Sequence, residues 1–218
     1  ALEGRYGLIR SACGDVEAPD FSGLGRAWAI ERVAFKAFPV CAYAQSVCKA
    51  AASLSLAPED IGKVVSIEIT MNPFEYGLPG IPSPGPFLGM TDAIMSVPLA
   101  AAATLVDGAP TLDNLMEGGS AGTCALIRKI RVHPDSSVGP LSCKMNLVMD
   151  DGKTLSAEAG PDPSKFDLKS SLSRALRDVA APEQTLTRLD KALRLSTPDL
   201  ASVVHVFREV RPESMLVR

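Results

Sequence analysis

The tripeptide Asp150-Asp151-Gly152 constrains this chain most, because it separates two runs, Leu141 to Met149 and Lys153 to Ala159, that both read as strands. An Asp-Gly turn matches the right-handed twist of two antiparallel strands, so the sequence predicts a β-hairpin here. A lone hairpin is only marginally stable in water, and further strands must complete a sheet. Val64 to Thr70 supplies one, with β-branched residues in alternation (V-V-S-I-E-I-T), and Ile127 to His133 another.

Helical segments are interleaved with these strands. Apolar residues at helical spacing (Val40, Ala44, Val47, Ala51, Leu54) predict a helix over 39–56, with Pro39 in its first turn, where a missing N–H costs nothing. Pro58-Glu59-Asp60 opens a short helical turn. A helix is expected from Thr91 to Val106, closed by Asp107-Gly108, and a second from Leu112 to Glu117. Between Met71 and Gly89 lies a long loop rich in proline and glycine, a type often functional or packed against a partner. Near the N-terminus only a small-residue segment, Tyr6 to Gly14, and a helical patch, Ala27 to Glu31, stand out. Three helices are expected after residue 165 (166–179, 182–195 and 198–210), and the shift in composition at Gly160-Pro161 is a candidate boundary. Strands and helices mix without βαβ alternation. The predicted class is α+β, a small mixed or antiparallel sheet with packed helices.

Composition excludes several classes. The net charge is −3 and the basic residues are scattered, so no stripe suited to nucleic acid or an anionic membrane arises. The longest apolar run, Val97 to Val106, is about half a membrane span. Five cysteines, an odd number without a CxxC pair, argue against a disulfide framework and a structural zinc site, and two histidines are too few for a His-rich metal centre. No signal peptide is read at the N-terminus, and the expected setting is a reduced cytoplasm.

The segment Phe35 to Ser46 (F-K-A-F-P-V-C-A-Y-A-Q-S) carries the most chemistry. Lys36 stands just ahead of a helix start whose unpaired N–H groups favour anions by about 0.3–1 kcal/mol. An ammonium about 4 Å from a carboxylate contributes roughly 4 kcal/mol before desolvation at intermediate dielectric, so Lys36 would dominate. The alternative is a solvated lysine before an ordinary core helix. Cys41, Gln45 and Cys48 fall three or four residues apart, on one helix face. Near a helix start and a lysine, Cys41 is a candidate acid, base or nucleophile with a lowered pKa; the alternative is a small buried hydrophobe, the reading preferred for Cys48. Tyr43 is a candidate proton donor or a packing residue. The run Gly118 to Gly122 follows a helix and precedes an expected strand, the reverse of a phosphate-cradling loop, and reads as a flexible connection. His133 reads as a turn residue, and His205 as a core histidine.

Taken in order, several of these segments resemble the MmgE/PrpD family, which includes 2-methylcitrate dehydratase, cis-aconitate decarboxylase and iminodisuccinate epimerase. They are Leu2-Glu3-Gly4 with Gly7, Phe35 to Cys41 leading into an Ala-rich helix, Ile61 to Thr70, Asp92 to Pro98 with Leu105 to Gly108, and Met149 to Lys153. The resemblance implies an α+β lid over residues 1–160 and, over 161–218, helices that pack on a large helical domain. That domain lies outside this chain and is expected as a separate or missing partner, in a homo- or hetero-oligomer such as a dimer. The family's lid lysine falls on Lys36; a histidine used by the decarboxylase falls on Cys41, and its tyrosine on Leu99. The implied activity is that of one component of a cofactor-independent lyase or isomerase (a dehydratase or epimerase) acting on a small di- or tricarboxylate. Lys36, Cys41 and Tyr43 would be catalytic, and Lys36, Gln45 and Ser46 would touch the substrate. No metal or organic cofactor is implied. The competing expectation is a non-catalytic, lid-derived interaction or stabilising subunit.

Overall fold

The computed structural model describes residues 22–26 and 36–161, together with positions 184, 187, 188 and 191. The chain divides into two compact units, Ala1–Phe35 and Lys36–Arg218. Of the first, a single turn is described, closed by Arg26 N–H donating to Gly23 O (3.1 Å). The segments expected before residue 22, the patch at 27–31, the three helices after residue 165, His205 and Cys13 lie outside the described residues, as does nearly all of the expected domain at 161–218.

After a 3-10 turn at Ala42–Ala44, the second unit runs through α1 (Gln45–Ser53), a 3-10 turn at Pro58–Lys63 and β1 (Val64–Met71). Five helices follow: α2 (Pro73–Tyr76), α3 (Met90–Met95), α4 (Val97–Asp107), α5 (Leu112–Glu117) and α6 (Ala121–Ile127). Then come β2 (Ile130–Pro134), β3 (Cys143–Met149) and β4 (Thr154–Ala159). The sheet order is β2-β1-β3-β4, with β1 and β2 parallel and the other neighbours antiparallel. The class is α+β, as expected. The predicted hairpin joins β3 to β4, with Met149 N–H donating to Lys153 O (2.8 Å).

One face of the sheet is apolar. Ile67, Ile69 and Met71 of β1 alternate inward, beside Met145, Leu147 and Met149 of β3. Val64 is also buried, three residues before Ile67 instead of two or four, because a register shift between Val64 and Ser66 inserts one residue. Over this face pack α1 and α4. Every residue of α4 from Val97 to Leu105 is buried, and a helix apolar all round belongs inside the core. No helix among the described residues is long and apolar enough to cross a membrane.

Several expected boundaries shift. The helix expected over 39–56 starts only at Gln45, because Cys41 is extended (φ −61°, ψ 163°), so Pro39 lies in the loop before it. The helix expected over 91–106 is two helices broken at Ser96, and the long loop contains α2, capped by Asn72, whose Oδ1 accepts from Phe74 N–H. The Gly118–Gly122 run is not a loose link into a strand. Ser120 accepts from Thr123 N–H and caps α6, which takes the residues up to Ile127 and delays β2 to Ile130. His133, expected to end its strand as a turn residue, lies within β2, which runs on to Pro134, and pairs with Glu68 of β1.

Ser96 is fully buried, and it caps α4 by accepting from Leu99 N–H (3.1 Å) while donating to Ser83 O (2.6 Å). Ser96→Ala removes both bonds at once. The expected loss is about 1–3 kcal/mol, read as a lower urea midpoint; an unchanged midpoint would show that neither bond matters.

Candidate functional site

The loop 37–41 owes its shape to one side chain. The Gln45 carboxamide oxygen accepts from Ala37 N–H (3.0 Å) and Phe38 N–H (3.1 Å), and its nitrogen donates to Phe38 O (2.9 Å) and Val40 O (3.2 Å). On the other side Cys41 N–H donates to Ile94 O (3.0 Å), where α3 ends. The loop is thus fastened to α1 and to α3. Lys36, one residue before the first clamped amide, is exposed and makes no ion pair with a described residue.

Cys41 is buried, its Sγ 3.9 Å from Met95 O. Burial pushes its thiol above the ordinary cysteine value; the N–H groups of Ala44 and Tyr43 and the charge of Lys36 pull it down, but less strongly. The sequence expectation of a lowered pKa is therefore corrected. Both lowering influences exist, and desolvation outweighs them. At neutral pH Cys41 is a thiol, suited to donate a proton and poorly suited to act as base or nucleophile.

Tyr43 is half-buried and packs against the core. Gln45 does not offer a free amide to a ligand, since its polar atoms are committed to the backbone; it positions the loop. Ser46 is buried, without a well-formed hydrogen bond, near enough to the Cys143 thiol to favour its ionisation slightly. Leu99 is a core residue at the start of α4, and Cys48 is buried with its Sγ 3.8 Å from Ala100 O.

Two buried groups went unnoticed in the sequence. Cys143 sits at the start of β3, its thiol pushed up to about 11 chiefly by burial. Glu75 in α2 is only 2% exposed. Its Oε1 accepts from Leu141 N–H (2.6 Å), while Oε2 has no hydrogen-bond partner among the described residues. Burial raises the Glu75 pKa, the Leu141 N–H partly opposing it, and its charge bears on both Cys41 and Cys143. The only sequence signal was an acidic residue in a Pro-started helical turn, which reads equally well as a surface residue.

Two cavities open on the described surface. One of ≈ 310 Å³ lies between the 84–89 loop, α5 and α6. Another, of ≈ 320 Å³, lies between the loop before β3 and the ends of β3 and β4, where Lys144 and Glu158 stand 4.0 Å apart. Neither includes Lys36, Cys41 or Tyr43. Among the described residues no three His, Cys, Asp or Glu side chains group as metal ligands. No family model and no curated protein matches this chain.

Proposed function

We propose that this chain is the lid component of a cofactor-independent lyase or isomerase of MmgE/PrpD type, which removes a proton beside a carboxylate of a small di- or tricarboxylate. The observation that carries the proposal is the Gln45 clamp, which fixes the backbone directly after an exposed lysine that has no ion-pair partner among the described residues. A cation held on a rigid support acts on developing negative charge without reorganisation at the moment of reaction. In this reading Lys36 pairs with the substrate carboxylate or with the enolate-like charge that forms as the proton leaves. The Cys41 thiol, protonated at rest, returns a proton, and the base is Tyr43 or a group of the helical domain that completes the cleft.

Lys36→Ala in the complete assembly is expected to lower kcat by about 10²–10³, the loss typical of one removed electrostatic donor. Turnover within a factor of two of the parent in steady-state assays would take Lys36 out of the mechanism. A second reading, a stabilising subunit without chemistry, is favoured by the commitment of Gln45 to backbone and by Leu99 in the core. Titration calorimetry of the assembly with dicarboxylates separates the two: heat of binding that disappears in Lys36→Ala supports the lid, and no binding supports the subunit.

A further inference from the structure

The ≈ 310 Å³ cavity near α5 and α6 stands apart from Lys36 and Cys41, and its walls have a chemistry of their own. Its size is at the lower end for ligand pockets, which suits a small molecule. The Phe87 ring forms one wall, with Gly85 and Gly118 beside it. A Cβ on Gly85 would lie 3.2 Å from that ring and one on Gly118 3.5 Å from it, and both residues have positive φ (91° and 75°). A side chain at Gly85 would press on the ring, and at either position it would strain the backbone. Leu115, Met116 and Ile127 extend the apolar lining.

Two charged residues complete it. Glu117 ends α5, and Arg128 follows the last residue of α6. Both line the cavity, yet they pair neither with each other nor with another described side chain. A carboxylate at the C-terminal end of a helix is opposed by the helix dipole, so the place of Glu117 does not follow from helix stability. A ligand of a single sign would meet one attractive and one repulsive wall. One that carries both signs would satisfy both. We infer that this cavity, which Phe87, Glu117 and Arg128 line together, binds a small zwitterion, an α-amino acid with an apolar side chain. Its carboxylate lies toward Arg128, its ammonium toward Glu117, and its side chain against Phe87 and Met116. The inference is independent of the proposed lid function, whose polyanionic substrates Glu117 would repel.

Cys124 provides the readout. It is exposed on the same cavity wall, its Sγ 3.5 Å from Gly118 O, whereas Cys41, Cys48 and Cys143 are buried. In the full chain, the rate of Cys124 alkylation by iodoacetamide is followed peptide by peptide by mass spectrometry. L-Phenylalanine or L-methionine at millimolar concentration is expected to slow it severalfold. N-acetyl-L-phenylalanine, L-phenylalaninamide and succinate are expected to leave it unchanged. Glu117→Gln and Arg128→Gln each alter an exposed side chain, so both variants should keep the parent circular dichroism spectrum, and each should lose the protection by phenylalanine. Absence of protection by either amino acid overturns the inference. So does equal protection by the N-acetyl or amide derivative, or protection that survives in both variants.

Discussion

Gln45→Ala is expected to lose about 2–4 kcal/mol of stability, more than any other exchange of a polar residue in the 36–46 segment. The alanine removes an acceptor from two backbone N–H groups and a donor from two carbonyls in one step. Each partly buried group that loses its partner costs about 1–3 kcal/mol, and water entering the opened loop recovers part of that. Gln45→Glu is the sharper probe. Its carboxylate still accepts from Ala37 and Phe38 N–H, but the second oxygen now faces the carbonyls of Phe38 and Val40. The resulting repulsion favours the protonated form, so this variant should regain stability as pH falls, while the alanine variant should not. Urea unfolding at several pH values checks both. A midpoint for Gln45→Ala within error of the parent would show that the loop holds without its clamp. Under the proposed lid function, the same variant in the complete assembly is expected to weaken carboxylate binding, because Lys36 then hangs from an unfastened segment.

A second large effect is expected at Glu75, and it depends on pH. Because burial raises its folded-state pKa, the folded protein binds the proton more tightly than the unfolded chain does. Below the ordinary glutamate value both states are protonated and the residue contributes no pH dependence. As pH rises from that value through the raised one, stability falls, and above it the whole cost of the buried carboxylate is present. Glu75→Gln keeps an oxygen for the Leu141 N–H and never ionises. Relative to the parent it should therefore gain stability with rising pH across that window, then level off, by about 1–3 kcal/mol in all. Tm measured for both proteins between acidic and mildly alkaline pH gives the comparison, and a constant difference would mean that Glu75 does not titrate there. Glu75→Ala also releases Leu141, a non-glycine residue at φ 55°, and should be less stable than the parent below the window as well.

Much of the fold was legible because its signals are local. Asp150-Asp151-Gly152 set the hairpin, and alternation in Val64 to Thr70 set β1 nearly to its ends. Leu112 to Glu117 emerged at the expected residues. Some local signals were present and misread. Ser96 two residues before Pro98 is a helix start, and Ser120 before Ala121 is another, but the apolar runs around them suggested one longer helix and one longer strand. The site was less legible because its decisive contacts are not local. The 37–41 loop folds back over Gln45 only because Cys41 is extended, and Cys41 is also held by Ile94. Glu75 is held by the N–H of Leu141, sixty-six positions later. Residue spacing could place Lys36, Cys41 and Gln45 near one another, but it could not show that desolvation outweighs Lys36 at the thiol.

The parallel pairing of β1 with β2 has a consequence for synthesis. As the nascent chain leaves the ribosome, β1, an interior strand of the sheet, is the first of the described strands to emerge, and both of its neighbours follow only after five helices. Throughout that interval its apolar side chains have no partner among the described strands, while α1 and α4, the two helices of the apolar layer, are both complete before either neighbour is made. The helices that cover the sheet are thus available to it before its strands can pair.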